Sequence, residues 1–373
     1  MYTIYNGVKK NKSITMNFHY KVGSEIFFNK LQAIQKNVET TDPIYLEDPY
    51  EDADFSVVPE QSLDDLIAAH LRQLRESHEK IKLYYSGGSD CHLLLDSIVK
   101  NNIHVDEIIC LKSGIPPADF EIDKFAIPAL SNLAGQLKGT KITIKTPTMQ
   151  DYFDYYKDGI TNDKIQSGMA GTHNYFRLLW SKDIFVQERH TDTLHIRGLE
   201  KPRIARHGTE YYAYILDTEM EPHENNYQFY SAVATIQIKQ CHMYLEKIQE
   251  LGQNTHIPNI WEDTVGKSMT DHAFPPKEIY FGQVDNFITF KGYKFYYSNN
   301  KDRIAINWCC ENHPNLLFLW HESLQELKSL TKNQWWNDGR PEMGTTGVLS
   351  KFRCLTKKAI KTVDELYPNG FKP

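Results

Sequence analysis

The sequence predicts an α/β fold in which a parallel twisted sheet carries helices on both faces. Strand-like apolar runs alternate with helix-like runs between about residues 60 and 215, and a glycine-rich turn joins one such strand to the next helix. Parallel strands need helix-length crossovers, so this alternation indicates a parallel sheet. The pattern changes to long helical spacing after about residue 218. We therefore expect a β-rich segment at 1–57, an α/β domain at 60–215 and a mainly helical region at 216–373.

The first elements are predicted from local patterns. Rough alternation in SITMNFHYKVGSEIFF, around the turn VGS at 22–24, predicts two short strands. The acidic stretch LEDPYEDADFSVVPEQS is interpreted as a solvated linker. In SLDDLIAAHLRQLRESHEK, Ser62 with Asp65 three residues later predicts a helix N-cap, and the apolar residues that follow recur at helical spacing.

Strands and helices then alternate along the predicted α/β domain. Strands are predicted over IKLYYS, VDEIICLKSG, KITIKT and DTLHIRG. Helices are predicted over about 90–101, DFEIDKFAIPALSNLAGQLKG, MQDYFDYYKDG and GTHNYFRLLWSKDIFVQE. We expect Pro128 to break or kink the second of these helices, because proline lacks the backbone N–H.

The region after about residue 218 is predicted to be mainly helical with strand insertions. NYQFYSAVATIQIKQCHMYLEKIQELG and PNLLFLWHESLQELKSL both have apolar residues at helical spacing. Between them, KFYY and RIAINWCC flank the turn SNNKD, which predicts an antiparallel hairpin within 280–308.

Composition and charge narrow the classes of function. The net charge is −6, so no overall basic field favours a nucleic-acid partner. No apolar run approaches the ~18 residues of a membrane helix. The N-terminus lacks the charged-then-apolar order of a signal peptide, so we expect a cytoplasmic protein without a membrane partner. The six cysteines form no CxxC pair and no disulfide-framework spacing, which predicts buried free thiols.

The stretch IKLYYSGGSDCHLLLDSIVK, at 81–100, places a polar turn between a strand and a helix. Such a turn presents free backbone N–H groups, and the helix dipole adds partial positive charge, so the two together form an anion site. Gly87 and Gly88 have no Cβ to keep a phosphate away from the backbone. The alternative is a plain turn with glycine for tightness and Ser or Asp for capping. No Walker A pattern is present near this turn.

The polar side chains of the turn suit a magnesium-bound phosphate. The hydroxyls of Ser86 and Ser89 can donate to phosphate oxygens. A carboxylate aimed directly at phosphate would repel it, so Asp90 is expected to act through a Mg²⁺ ion held between them.

YYSGGSDCHLLLD resembles the PP-loop motif SGGxDS of the N-type ATP pyrophosphatases, an adenine nucleotide alpha-hydrolase-like superfamily. This superfamily includes asparagine synthetase-like, GMP synthetase-like, tRNA lysidine synthetase-like and thiouridine synthetase-like enzymes. The motif covers about 81–100, and the order of elements extends the resemblance through about 205. Cys91 stands where the usual pattern has Ser, and a thiol is a weaker donor, so one phosphate contact is expected to differ. GLEKPRI also resembles phage-encoded members of the superfamily, so an asparagine synthetase-like member is one candidate.

The resemblance implies that ATP and Mg²⁺ bind and that ATP is cleaved between its α and β phosphates. It places the nucleotide against the turn, and it implies that Asp90 is both a metal ligand and a catalytic residue. The turn residues that match the motif or directly follow it are Ser86, Gly87, Gly88, Ser89, Asp90 and Cys91. Electrostatic stabilisation would come from backbone amides and the metal rather than from a covalent nucleophile.

Two further stretches are expected at the same cleft. In the superfamily the end of the second strand meets the adenosine, which makes Leu111, Lys112 and Ser113 of CLKSGIPPADF candidates. Gly198 would end the fourth strand beside the turn. The cations that follow it could reach the developing phosphate charge. They are Lys201 and Arg203, which are catalytic candidates, and Arg206. The alternative for these cations is a solvated loop.

The expected activity is adenylation of a carboxylate or carbonyl oxygen of a small-molecule or nucleotide substrate, with release of pyrophosphate. Amidation or amine condensation would follow. Two alternatives remain open: sulfur transfer or sulfonucleotide reduction on the same fold, and a nucleotide-binding module without catalysis. The sequence indicates neither an oligomeric state nor the identity of the acceptor.

Overall fold

In the computed structural model, the described residues are 18–27, 30–50, 53–116, 119, 122–157, 192–198, 203–207, 209–215, 226–250, 301–330 and 350–366. The predicted helix GTHNYFRLLWSKDIFVQE lies outside them. Within the described part of the chain, no helix has both the length and the apolar character needed to cross a bilayer.

The strands are β1 His19–Val22, β2 Glu25–Phe27, β3 Ile44–Glu47, β4 Lys80–Tyr84, β5 Glu107–Leu111, β6 Lys141–Lys145, β7 Thr193–Arg197, β8 Arg203–His207, β9 Glu210–Tyr214, β10 Asn226–Gln228, β11 Phe352–Cys354 and β12 Ile360–Lys361. The α-helices are α1 Lys30–Thr40, α2 Leu63–Ser77, α3 Ser89–Lys100, α4 Ile127–Leu133, α5 Met149–Lys157, α6 Ala234–Glu250, α7 Lys301–Asn312, α8 Pro314–Leu330 and α9 Val363–Leu366. A π-helical turn, Ile122–Ala126, leads into α4.

The central sheet has five strands in the order β10-β7-β4-β5-β6, and every neighbouring pair is parallel. From β4 the chain builds outward through β5 to β6, and it then returns to place β7 and β10 on the other side of β4. The strand order therefore reverses at β4, which lies in the middle of the sheet. The predicted α/β class with a parallel sheet is confirmed, and helices flank the sheet.

One face of this sheet forms the main apolar core. Alternate strand residues point into the core, as the two-residue period of a strand requires. They pack against α2, α3 and α4. The strand residues of this core are Ile81, Leu83, Ile108, Cys110, Leu194 and Ile196. The predicted cap of α2 is confirmed, since the Ser62 Oγ accepts the Asp65 amide at 3.1 Å.

Two antiparallel sheets lie outside the central one, in the orders β2-β1-β3 and β12-β11-β9-β8. The predicted strands around residues 22–24 are confirmed as a hairpin, with Gly23 at a φ of +57°. A second apolar core joins Tyr20 and Leu46 of the first sheet to Ala213 of the second and Ile238 of α6. This core therefore takes residues from all three of the segments expected from the sequence.

Four local predictions need correction. LEDPYEDADFSVVPEQS was expected to be a solvated linker, but it begins in β3, and Asp48, Tyr50 and Phe55 are buried. NYQ was expected to be helical, but it forms β10 because it pairs with β7. RIAINWCC was expected to be a strand, but it lies in α7, where Cys309 packs against Tyr152 of α5 and Leu316 of α8. Its partner KFYY lies outside the described residues. The N-terminal segment also contains α1, which strand patterns did not indicate. Short apolar runs suit either structure, and tertiary contacts decide between them.

Proline shapes the element after β5 as expected. The predicted single helix is divided into the π-helical turn and the short helix α4, with Pro128 in the first turn of α4. Pro128 has no N–H to donate to the preceding π-helical turn, and the helical pattern changes from π to α just before it.

Buried His70 predicts a specific dependence of stability on pH. Its Nε2 lies 2.6 Å from the Tyr227 hydroxyl, and its Nδ1 lies 3.3 Å from the Gln73 Oε1. Burial lowers the pKa of His70 to about 4, so the unfolded chain binds the extra proton first as pH falls. The stabilisation is complete above pH ~6.5, and up to about 3 kcal/mol is lost by pH ~4.

Urea unfolding at several pH values tests this dependence. The free energy of unfolding of the wild type should fall more steeply between pH ~6.5 and ~4 than that of His70→Gln, in which the titrating group is absent. Equal slopes for the two proteins would contradict this assignment to His70.

Candidate functional site

The glycine-rich turn lies at the carboxyl end of β4, the strand at which the sheet order reverses. Tyr85 still belongs to the sheet, since its amide donates to the Ile109 carbonyl at 2.9 Å. Residues 86–88 then turn the chain, and α3 begins at Ser89. In open parallel sheets, ligands bind outside the carboxyl ends of the strands at such a reversal. The fold thus places the turn where a ligand site is expected.

Gly87 is required by the fold itself. Its φ is +77°, in the left-handed region that favours glycine. A Cβ there would lie 2.9 Å from the Ala126 Cβ and 3.0 Å from the Ala126 amide nitrogen. The π-helical turn that ends at Ala126 therefore packs directly on Gly87, and conformation and packing together account for glycine at this position.

Within the part of the chain that the structure describes, Gly88 has no comparable reason to be glycine. Its φ of −70° and ψ of 157° are open to any residue. Among the described residues, a Cβ there would meet within 4 Å only the Ser86 Oγ, at 3.3 Å, at the end of a side chain that can rotate. The absence of a side chain at Gly88 instead leaves space beside the first turn of α3.

The start of α3 also differs from the start of α2. Helix α2 is capped by the Ser62 hydroxyl, whereas the N-cap of α3 is Gly88, which has no side chain to accept from the helix amides. Glycine is common at N-caps, but it supplies no side-chain acceptor for the helix amides. A helix start with no side chain at its N-cap, at the positive end of the helix dipole, suits an anionic ligand.

Ser86 and Cys91 contact each other across the turn. Ser86 is exposed; its hydroxyl accepts the Gly88 amide at 3.4 Å and donates to the Cys91 Sγ at 3.6 Å. Cys91 is buried, and burial raises the pKa of its thiol. The thiol side chain therefore lies under the turn, and its expected effect on a phosphate contact stays a prediction.

Asp90 lies in the first turn of α3, and the backbone there is held closely by Gly198. Gly198 directly follows β7. A Cβ on it would lie 2.9 Å from the Cys91 amide nitrogen and 3.1 Å from the Asp90 carbonyl oxygen. Glycine at this position lets the end of β7 approach the helix backbone, so packing accounts for it. Its predicted contact with nucleotide stays a prediction.

The end of β5 provides the candidates for the second contact region. Leu111 ends the strand and packs beside Tyr84 and Ile109. The Lys112 Nζ lies 2.9 and 3.0 Å from the two carboxylate oxygens of Asp123, and this hydrogen bond raises the pKa of Lys112. Lys112 is therefore already bound to a carboxylate of the π-helical turn, and any nucleotide contact would have to share it.

Ser113 is buried inside the loop that follows β5. The Asp119 carboxylate accepts its amide at 2.5 Å and the Gly114 amide at 3.1 Å. The Ser113 hydroxyl accepts the Ile115 amide at 3.0 Å, and the Tyr152 hydroxyl donates to the Ser113 carbonyl at 2.8 Å. These contacts give Ser113 a structural role, as the residue that ties the loop to α5.

The predicted cations after β7 are only partly within the described residues. Lys201 lies outside them. Arg203 is the first residue of β8, and Arg206 lies on the same strand. Both pair with β9, opposite Tyr214 and Tyr211. Their backbones therefore belong to an antiparallel sheet rather than to a solvated loop.

The structure adds two residues that sequence reasoning missed. The Tyr230 hydroxyl donates to the Asp90 carbonyl at 2.8 Å across 140 residues of sequence, a contact that no local pattern indicates. Arg197 is buried at the carboxyl end of β7, next in register to Tyr84 of β4. A signal for Arg197 was present, because DTLHIRG places polar side chains on one face of a strand and apolar ones on the other.

No protein-family model matches this sequence, and a comparison with curated proteins gives no match. Over the described ranges, no group of three or more His, Cys, Asp or Glu residues could hold a metal ion. A Mg²⁺ ion at Asp90 would therefore take its other ligands from phosphate oxygens and water, which Mg²⁺ commonly does.

Proposed function

We propose that this protein is a PP-loop ATP pyrophosphatase with a HUP-like core and helices on both faces of its sheet. In this proposal it acts in the cytoplasm on a small-molecule or nucleotide substrate, adenylates a carboxylate or carbonyl oxygen, and then transfers the activated group to ammonia or an amine. Gly88 carries the proposal: its backbone conformation does not require glycine, and no described residue other than Ser86 packs where its side chain would be, at the start of α3, where the strand order reverses.

The residues of the turn would bind the β and γ phosphates of ATP. Amides in the first turn of α3 would donate to phosphate oxygens, and Gly88 would let those oxygens approach. Asp90 would hold Mg²⁺, which when bound neutralises phosphate charge. The rigid contacts of Gly87 and Gly198 with their neighbours keep these donors fixed, as electrostatic stabilisation of a transition state requires.

The reaction has two steps. The substrate oxygen attacks the α phosphorus of ATP, the bond from that phosphorus to the bridging oxygen breaks, and pyrophosphate leaves with the electron pair. An amine then attacks the activated carbon, loses a proton, and displaces AMP. The charge that develops on the departing pyrophosphate falls beside the amides of α3 in this arrangement.

The cysteines favour nitrogen chemistry over sulfur transfer. Five of the six are buried, and only Cys310 is exposed. Burial raises the pKa of Cys91 and raises that of Cys110 to about 12, so neither is poised as a thiolate. Sulfur transfer usually needs a reactive thiolate, and the two thiols nearest the turn do not fit that role.

The position of the C-terminal helices is consistent with a substrate-binding or lid region. Helices α7 and α8 pack on Tyr152 and Tyr156 of α5 and on Ile115, in the loop after β5. They therefore contact the loop that carries Ser113, a predicted nucleotide contact. A ligand bound beside that loop would lie close to these helices.

Product analysis tests the proposed reaction. The protein is incubated with Mg²⁺, ATP labelled at either the α or the γ phosphate, a panel of carboxylates or nucleobases, and either ammonia or a persulfide donor. We expect AMP and pyrophosphate in equal amounts with one class of acceptor. Formation of ADP and phosphate instead would contradict cleavage between the α and β phosphates, and use of a persulfide donor would favour the sulfur alternative. Binding of ATP with no turnover for any acceptor would favour a non-catalytic module.

A further inference from the structure

We propose that Tyr230 is a positioning residue that fixes the backbone of Asp90, and through it the carboxylate that holds Mg²⁺. This inference rests on the proposed function. Tyr230 follows β10, the edge strand of the central sheet, and its hydroxyl donates to the Asp90 carbonyl at 2.8 Å. It contacts no reacting group, so its effect on binding would come through Asp90.

The bond adds a second donor to a carbonyl that the helix already uses. In an α-helix the carbonyl of Asp90 accepts the amide four residues later, and a carbonyl oxygen has two lone pairs. Hydrogen bonds within the first turn of a helix are prone to fraying. The Tyr230 hydroxyl, a donor from outside the helix, therefore restrains Asp90, whose side chain must point toward the Mg²⁺ ion.

Tyr230 is itself held firmly. Its side chain is fully buried, and its ring packs edge-to-face on Phe229, with centroids 5.6 Å apart. Its carbonyl accepts the Gln237 side-chain amide at 2.9 Å, and the next carbonyl, of Ser231, accepts the Tyr50 hydroxyl at 2.6 Å. A buried tyrosine hydroxyl needs a hydrogen-bond partner, and this framework directs that of Tyr230 to Asp90.

Two elements therefore restrain Asp90 from the same side of β4. Gly198, after β7, packs on the carbonyl of Asp90, and Tyr230, after β10, donates to it. Both strands lie beyond β4 in the sheet order, on the side away from β5. The residues that follow β7 and β10 thus support the first turn of α3.

The test compares Tyr230→Phe with Tyr50→Phe. The Tyr50 hydroxyl donates to the Ser231 carbonyl, in the segment that connects β10 to α6, rather than to Asp90. Two quantities are measured on the full chain: hydrogen exchange of the amides at the start of α3 without nucleotide, and the factor by which Mg²⁺ tightens ATP binding. We expect Tyr230→Phe to speed exchange there and to reduce the Mg²⁺ factor by about threefold or more, the effect of one lost hydrogen bond. Tyr50→Phe should change neither to that extent.

Each other outcome overturns the inference in a distinguishable way. Unchanged exchange in Tyr230→Phe means that the bond does not restrain Asp90. Faster exchange with an unchanged Mg²⁺ factor means that the bond is only structural. Equal effects of the two variants mean that the segment between β10 and α6 as a whole, and not the hydroxyl of Tyr230, supports the helix. If the wild type does not bind ATP, the proposed function itself fails, and positioning of a metal ligand fails with it.

Discussion

Asp90→Asn should abolish the effect of Mg²⁺ on ATP binding. The wild type should bind ATP more tightly with Mg²⁺ than without it, because the carboxylate and the phosphates share the ion. Residues that only hydrogen-bond to metal ligands already contribute about tenfold to a hundredfold to metal affinity. Loss of a residue that binds the metal directly should therefore lower the affinity at least as much. Without Mg²⁺ the variant should bind ATP at least as well as the wild type, since a repelling charge is gone. Calorimetric titration with and without Mg²⁺ measures both values.

Asp96→Asn is the matched control for Asp90→Asn. Asp96 lies six residues later on the same helix, where it forms a surface ion pair with Lys100 at 2.6 Å. The same chemical change there should leave the Mg²⁺ effect intact. A Mg²⁺ effect retained in Asp90→Asn, or lost equally in both variants, would remove Asp90 from the metal site.

Gly87→Ala should destabilise the fold by about 2–5 kcal/mol. A left-handed backbone costs a non-glycine residue roughly 1–2 kcal/mol, and overpacking against close neighbours costs about 1–3 kcal/mol more. The new methyl group would overlap Ala126, whose backbone atoms cannot rotate away. The free energy of unfolding, measured in urea, reports the cost directly.

Gly135→Ala provides the matched control for Gly87→Ala. Gly135 follows α4, has no left-handed φ, and a Cβ there would meet no described atom within 4 Å. This variant should change stability by less than about 0.5 kcal/mol. If Gly87→Ala is no less stable than Gly135→Ala, the described packing between Gly87 and the π-helical turn is wrong.

Local patterns predicted the elements around the turn well. The strand before the turn, the helix after it and the cap at Ser62 each depend on neighbouring residues, and each was found where expected. The run RIAINWCC was wrongly assigned because a short apolar segment suits a strand or a helix, and only its contacts with α5 and α8 select the helix. The sheet order, with β7 beside β4, depends on pairing across more than a hundred residues and could not be read locally.

The candidate site was predictable in place but not in detail. The sequence located the glycine pair, yet it treated Gly87 and Gly88 alike, because the φ of Gly87 and its contact with Ala126 emerge only in the folded chain. Lys112 looked available for a nucleotide until its pairing with Asp123 was visible. Tyr230 reaches Asp90 from a distant part of the chain, so only the tertiary structure could reveal that contact.

The most direct test of the central claim is the affinity of Gly88→Ala for ATP with Mg²⁺, compared with the wild type and Gly135→Ala. The claim predicts measurable binding by the wild type and by Gly135→Ala. In Gly88→Ala the methyl group would occupy the space of a phosphate oxygen, and affinity should fall by about tenfold or more. The unfolding free energy of Gly88→Ala should change by no more than about 1 kcal/mol, the cost of a poorer N-cap. Unchanged affinity in Gly88→Ala, or no binding by the wild type, would contradict the claim that this turn holds the phosphates of ATP.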